Sequence, residues 1–190
     1  AIDIDHIREL GGTIESVASA KAGIIKAGGD VVYYGNNPIA ANVFATKCAA
    51  VGAKLSIVDF ESLNVKECTI NGAIFDYTVN DSLYENVHIP LPGTYQSRNC
   101  ALVLTTIELL KKKFDISKEA VIEGIASVKW PGRFEVLCRK PIFIADGGHN
   151  PQCAEAIADA LKEYFPGKKC AFLIGVMADK DFKGIFDALL

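Results

Sequence analysis

Hydrophobic positions recur at two spacings along this chain, and the switches between them mark out its elements. Ile14, Val17, Ala18, Lys21, Ile24 and Ile25 fall at helical spacing. They predict a helix capped by Thr13 and running to about Lys26. Gly28-Gly29 opens a strand, Asp30 to Tyr34, and Asn37-Pro38 starts a second helix with Ala41, Phe44, Lys47, Cys48 and Val51 on one face. Lys54 to Asp59 reads as the next strand. The period then changes. Val65 to Ile70, Ala73 to Val79 and Glu85 to Ile89 read as short strands, with Asn71-Gly72 as a hairpin turn signal. Two helices follow, about Gln96 to Lys113 and, capped by Ser117, about Lys118 to Val128. The first is apolar nearly all round, which predicts burial.

Trp130-Pro131-Gly132 interrupts the pattern. Beyond it the chain reads strand, strand, helix, strand: Arg133 to Cys138, Pro141 to Ala145, Gln152 to Phe165 and Cys170 to Ile174. The fold class expected is α/β with a β-rich middle. A domain boundary is expected near 129–132, dividing 1–129 from 130–190. The second part is short for an α/β domain to close its own core.

Composition narrows the function classes. Half of the 190 residues are hydrophobic, enough for a sizeable core, and the net charge of -3 gives no electrostatic case for nucleic acid or an acidic membrane surface. No apolar run is long enough to span a bilayer. Ala1 to His6 lacks the basic start and small-residue cleavage site of a signal peptide. The six cysteines are scattered without a C-x-x-C pair, which argues against a zinc site and a disulfide scaffold and for free thiols in a reducing cytosol.

Candidate chemistry concentrates in Ala145-Asp-Gly-Gly-His-Asn-Pro151. An apolar run feeds into it and an amphipathic run leaves it, so it reads as strand, glycine turn, helix. Asn150 suits the cap and Pro151 the first helical position. Paired glycines let a backbone approach a ligand, a helix N-terminus favours an anion, and Asp146 and His149 sit where open α/β sheets bind ligands. The same residues also suit a tight turn with incidental polar side chains. Lys21 is the second candidate. On an apolar helix face its charged form is disfavoured, and a neutral amine can react with carbon dioxide to form a metal-binding carbamate. The alternative is a packed stem with its head in solvent. His6 reads equally as a hydrogen-bonded structural histidine.

Taken together, these segments resemble a family. Asp5-His6, Leu10-Gly11 and Ser19-Ala-Lys-Ala-Gly-Ile-Ile-Lys26 resemble the central ATPase domain of the Mur-ligase superfamily, closest to the folylpolyglutamate synthase/dihydrofolate synthase branch. Leu91-Pro-Gly-Thr-Tyr-Gln-Ser-Arg-Asn99 is similar to that family's L-x-G-x-H-Q-x-x-N. Trp130-Pro-Gly-Arg-Phe-Glu135 is similar to P-G-R-x-E, Asp146-Gly-Gly-His-Asn-Pro151 to D-G-A-H-N-P, and Asp179-Lys-Asp181 to D-K-D. The pieces fall in family order over essentially the whole chain.

The resemblance implies the later part of a central ATPase domain followed by the start of a Rossmann-like C-terminal glutamate-ligase domain. It implies an ATP-dependent ligase that activates a folate or dihydropteroate carboxylate as an acyl phosphate, which the amine of L-glutamate attacks. The cofactors implied are ATP and magnesium, with a monovalent cation as a further candidate. Residue by residue, Lys21 would be a carbamylated metal ligand and His6 a magnesium ligand. Asn99 would bond adenine, Arg133 would reach the ATP phosphates, Asp146 would hold the ribose, and His149 would lie near the phosphates. Asp179 and Lys180 would border the incoming amino acid. The partners implied are small molecules only, in a cytoplasmic monomer. Without the family, Asn99 could face solvent, Arg133 could pair with Glu135 or Asp146, and Asp179 to Asp181 could be a solvated turn.

The chain departs from the family pattern at Ala20, where glutamate is usual, at Tyr95 for histidine and at Gly148 for alanine. No G-K-S/T phosphate loop occurs in it. The expectation is an internal piece of a longer enzyme, inactive by itself. Two other readings stay open: a Mur-type ligase for another substrate, such as a muramyl peptide, and a non-catalytic nucleotide-binding module.

Overall fold

The computed structural model describes residue 2, residues 12–178 and residues 180–190. It is a mixed α/β chain whose packing forms two units: Ala1–Ser62 with Val79–Asp81 and Ala101–Asp115, and Leu63–Thr78 with Ser82–Cys100 and Ile116–Leu190.

Among the described residues, the first helix of the first unit is α1, Ile14–Ala22. Thr13 caps it: its hydroxyl accepts from Ser16 N–H at 3.1 Å, and Ser16 Oγ accepts in return from Thr13 N–H at 3.3 Å. Val17, Ala18 and Ala22 are buried. The helix stops short of Lys26, because the next three amides (Gly23, Ile24, Ile25) bond back three residues to Ala20, Lys21 and Ala22, the tightened turn common at helix ends. Strand β1, Asp30–Tyr33, pairs in parallel with β2, Lys54–Ile57, and helix α2, Pro38–Val51, connects them. Ala40, Phe44 and Cys48 recur every four residues on the buried face of α2. Phe44 meets Tyr33 edge-on at 5.0 Å, and this contact joins the core formed with Val17, Ala18, Ala22 and Ile25.

The second unit is built on a three-stranded sheet in the order β3, β4, β5: Leu63–Thr69, Gly72–Val79 and Ser82–Ile89. The first hairpin turns one residue earlier than Asn71-Gly72 suggests, because Thr69 pairs with Gly72. Gly72 is nonetheless essential there: its φ is 123°, and a Cβ would sit 2.1 Å from the Ile89 carbonyl oxygen. Ala73, Phe75, Tyr77 and Val79 alternate onto the buried face of β4. In β5 the buried set shifts from Tyr84 to Val87 and Ile89, with Asn86 at φ 51° between them.

Helix α3, Gln96–Leu110, was expected to be buried all round; only one face is, through Gln96, Ser97, Cys100, Ala101, Leu104 and Thr105, while Val103 and Leu110 are exposed. Its polar threonines satisfy themselves within the helix, Thr105 and Thr106 donating to carbonyls four residues back. Helix α4, Lys118–Ala126, is capped by Ser117 as read from the sequence. Strands β6, Glu135–Arg139, and β7, Ile142–Ala145, form an antiparallel ribbon, followed by α5, Pro151–Tyr164, and α6, Phe182–Leu189. The strand expected over 170–174 does not form. The apolar pattern is there, but among the described residues β6 and β7 pair only with each other and no ladder receives it, and Leu173 is 98% exposed.

Candidate functional site

The turn between β7 and α5 is tied to the residues before β6 by two hydrogen bonds, and each segment is braced by one of its own. Asp146 Oδ2 accepts from Phe134 N–H at 2.7 Å, and its Oδ1 accepts from Gly148 N–H at 2.6 Å. Gly147 N–H donates to the Gly132 carbonyl at 2.8 Å. Glu135 Oε2 accepts from Gly132 N–H at 2.8 Å. Two separate sequence segments, Pro-Gly-Arg-Phe-Glu and Asp-Gly-Gly-His-Asn-Pro, thus become one knot.

The knot holds Phe134 at φ 46°, a conformation that costs a non-glycine residue energy unless its surroundings enforce it. The enforcement is visible. The amide is held by Asp146, and the fully buried ring meets Tyr164 edge-on at 5.7 Å. The flanking Arg133 is exposed. Both Asp146 oxygens and Glu135 Oε2 accept from backbone amides, and among the described residues neither side chain makes an ion pair with Arg133. The guanidinium is left available for an anion.

At the other end of the turn, Asn150 caps α5 by accepting from Cys153 N–H at 2.8 Å, with Pro151 first in the helix, as the sequence predicts. His149 is exposed, its Nδ1 3.2 Å from the Gly147 carbonyl oxygen. That contact favours the Nδ1–H tautomer and leaves Nε2 outward.

Tyr95 is a residue the sequence reading noted only as a departure from the family. It lies in the electrostatic neighbourhood of Asp146, Arg133 and Cys153. Burial, reinforced by the Asp146 charge, pushes its phenol up to about 12, with Arg133 pulling the other way. Asn99 follows one helical turn later, its amide donating to the Tyr95 carbonyl. The Asn99 side chain is exposed and bonds Gln96 at 3.2 Å. Tyr164 was also missed. Its oxygen accepts from the buried Gly93 N–H at 2.9 Å and lies 3.3 Å from Cys68 Sγ. Burial first, then the Cys68 contact, pushes its phenol above the usual range. A tyrosine at a helix's last position carries no sequence signal of such a role.

Arg133, Asp146 and His149 therefore converge on one knot, and Asn99 follows directly from the tyrosine beside it. Lys21 does not sit as expected. It is exposed rather than held in an apolar face. Its long stem lets the ammonium reach water at the last turn of α1, where a cation also suits the helix's carbonyl end. His6 and Asp179 lie outside the described residues, and Lys180 is half-buried. Among the described residues no three His, Cys, Asp or Glu side chains converge as metal ligands, so these residues do not complete a magnesium site.

This strand-to-helix turn, with its exposed arginine and imidazole, lies in a stretch of the chain that matches a known family. Residues 132–190 match the Mur ligase, glutamate ligase domain. Over its whole length the chain is similar to part of the folylpolyglutamate synthases (FPGS) and dihydrofolate synthases. Folylpolyglutamate synthase of Lacticaseibacillus casei is 33% identical over 192 residues, covering 99% of this chain and 44% of the relative. Dihydrofolate synthase/folylpolyglutamate synthase of Bacillus subtilis (strain 168) is 31% identical over 192 residues, covering 100% of this chain and 45% of the relative. A solved FPGS–AMPPCP–folate complex matches with a TM-score of 0.88 at 33% identity, over 99% of this chain and 46% of that one. The chain spans less than half the length of the relatives it matches.

Proposed function

We propose that this chain is part of an ATP-dependent ligase that joins L-glutamate to folate or dihydropteroate. The observation that carries the reading is the knot, which presents Arg133 and His149 from two segments bonded to each other, with the guanidinium and the imidazole Nε2 unspent. The kinship with folylpolyglutamate synthases supports it, as does a relative solved with an ATP analogue and folate.

In this reading the folate carboxylate attacks the γ-phosphorus of ATP and ADP leaves. The resulting acyl phosphate is attacked by the glutamate amine, and the tetrahedral intermediate expels phosphate as the amide forms. Such chemistry rests on alignment and on charge placed against phosphate oxygens. Arg133 supplies that charge, His149 lies beside the phosphates, Asp146 faces the ribose, and Asn99 bonds the adenine. Lys180 and Asp179 border the incoming amino acid. Lys21 would carry a carbamate and, with His6, would hold magnesium, which would neutralise phosphate charge; the Lys-Ala-Gly-Ile-Ile motif supports this assignment. Lys21→Ala in the complete gene product is expected to abolish activity, with recovery on adding short-chain carboxylates. Unchanged activity removes Lys21 from the mechanism.

Residues 1–129 belong, in this proposal, to the central ATP-binding domain and 130–190 begin the glutamate-ligase domain, supported by a family match that starts at 132. The enzyme is a cytoplasmic monomer that takes only small-molecule substrates. No helix among the described residues is long and apolar enough to cross a membrane.

The test is glutamate-dependent phosphate release from MgATP by the complete gene product, with dihydropteroate, tetrahydrofolate and a muramyl precursor in parallel. Release with either pterin is expected. Release with the muramyl precursor alone moves the activity to another Mur-type ligase, and silence with all three leaves a non-catalytic module.

A further inference from the structure

Three segments meet at the last residue of α5. Tyr164 Oη accepts from Gly93 N–H at 2.9 Å and touches Cys68 Sγ of β3 at 3.3 Å, a contact in which either atom can donate. The edge-on contact of its ring with Phe134 is 5.7 Å between centroids. Gly93 is buried, so its amide has no water to fall back on. It also carries a φ of 122° and lies against the Tyr95 ring, where a Cβ would come within 2.9 Å. Tyr95 begins the approach to Asn99, and Phe134 is the neighbour of Arg133. One side chain thus binds both the segment leading to the amide proposed for adenine and the turn presenting the cation proposed for phosphate. Residues 93 and 134 lie on opposite sides of the proposed boundary near 129–132.

We propose that Tyr164 is a positioning residue. Its hydroxyl and ring hold the Gly93–Asn99 segment and the Arg133 turn in a single register, so that a nucleotide can engage both at once. It touches no substrate itself. The proposal rests on the nucleotide-site reading above, and on that reading a hydrogen bond far from the phosphates governs nucleotide affinity.

Tyr164→Phe tests it. The substitution keeps the ring on Phe134 and removes only the hydroxyl, with its contacts to Gly93 and Cys68, so the fold should persist; circular dichroism checks this. In the complete gene product, affinity for the non-hydrolysable analogue AMPPCP is expected to fall about 2- to 10-fold, the range of the net contribution of one neutral hydrogen bond. The loss is expected to shrink towards nothing in an Arg133→Ala background, because both changes act on the same engagement. Under turnover, KM for ATP rises while kcat changes by less than about twofold. Equal affinity in wild type and Tyr164→Phe overturns the proposal, as does a loss of full size in the Arg133→Ala background. Tyr164→Leu, which removes ring and hydroxyl, is expected to weaken binding further than Tyr164→Phe; an equal or smaller effect also counts against it. Failure of the ligase reading is seen separately, in the wild type alone, as binding of AMPPCP without pterin-dependent phosphate release.

Discussion

Two turns in this molecule start a helix with the same two residues and are used differently. Asn37-Pro38 begins α2 after β1, and Asn150-Pro151 begins α5 after β7. Both asparagines cap with their side-chain oxygen, and both prolines occupy the first helical position. In the first turn the remaining polar groups are spent on the chain itself. Asn36 accepts from Ile2 N–H at 3.0 Å and donates to its carbonyl at 2.8 Å, while Tyr33 Oη accepts from Asn37 N–H at 3.1 Å. In the second turn Asp146 is likewise spent on the backbone, but the Arg133 guanidinium and the Nε2 of His149 are not. A helix start with good capping is common protein grammar. What separates a site from a turn is the set of charged side chains left over after the turn has satisfied itself.

Removing the anchor of each turn should separate the two most sharply. Asp146→Ala orphans the Phe134 and Gly148 amides, a loss of about 2 to 4 kcal/mol, and frees Phe134 from its left-handed backbone. Ligase activity per folded molecule is expected to fall by about 100-fold or more as Arg133 and His149 lose their frame. Asn36→Ala should cost about 1 kcal/mol of stability and leave the specific activity of the folded protein unchanged. Thermal melts with turnover assays on the same samples read both; equal activity losses in the two variants would erase the distinction. Arg133→Ala comes next. It breaks no hydrogen bond or ion pair among the described residues, so its melting temperature should stay near wild type while kcat/KM for ATP falls about 10- to 100-fold, the worth of a hydrogen bond to a charged group. A large loss of stability would make Arg133 structural.

The smallest effect concerns pH. The folded state holds the Tyr95 proton more tightly than the ordinary phenol at 10.0, up to about 12. A raised value means that stability is intact below the unfolded value and is lost as pH climbs through the folded one. Wild type should therefore lose stability relative to Tyr95→Phe between about pH 10 and 12, and the two curves should run parallel below that. Parallel curves throughout would show that Asp146 and burial do not bear on this phenol.

Much of the fold was legible because the signals were local. Thr13, Asn37, Ser117 and Asn150 all cap as read, since capping needs only the residue and the amides two or three positions on. The β-rich middle was legible from its alternation. What failed depended on distant partners. The stretch 170–174 has a strand's composition, yet a strand exists only against a neighbour. Helix α3 has apolar residues all round, yet burial is decided by what covers each face. The candidate site divides the same way. Asp146, His149 and Arg133 carried motif signals, and the structure brings their segments together. Lys21 has the spacing of a buried residue, but a long flexible stem lets its charge escape, which spacing does not encode. Phe134 and Tyr164 were invisible because their importance lies in a backbone angle and in one hydroxyl reaching across to Gly93.

The central claim is that the turn around Asp146 serves a ligase that activates a carboxylate with ATP. Its most direct test is oxygen transfer. The complete gene product is given MgATP, L-glutamate and a pterin acceptor labelled with oxygen-18 in the carboxylate, and the released phosphate is weighed by mass spectrometry. An acyl phosphate requires one labelled oxygen in each phosphate released; phosphate that comes away unlabelled while the glutamyl product still forms would contradict the account.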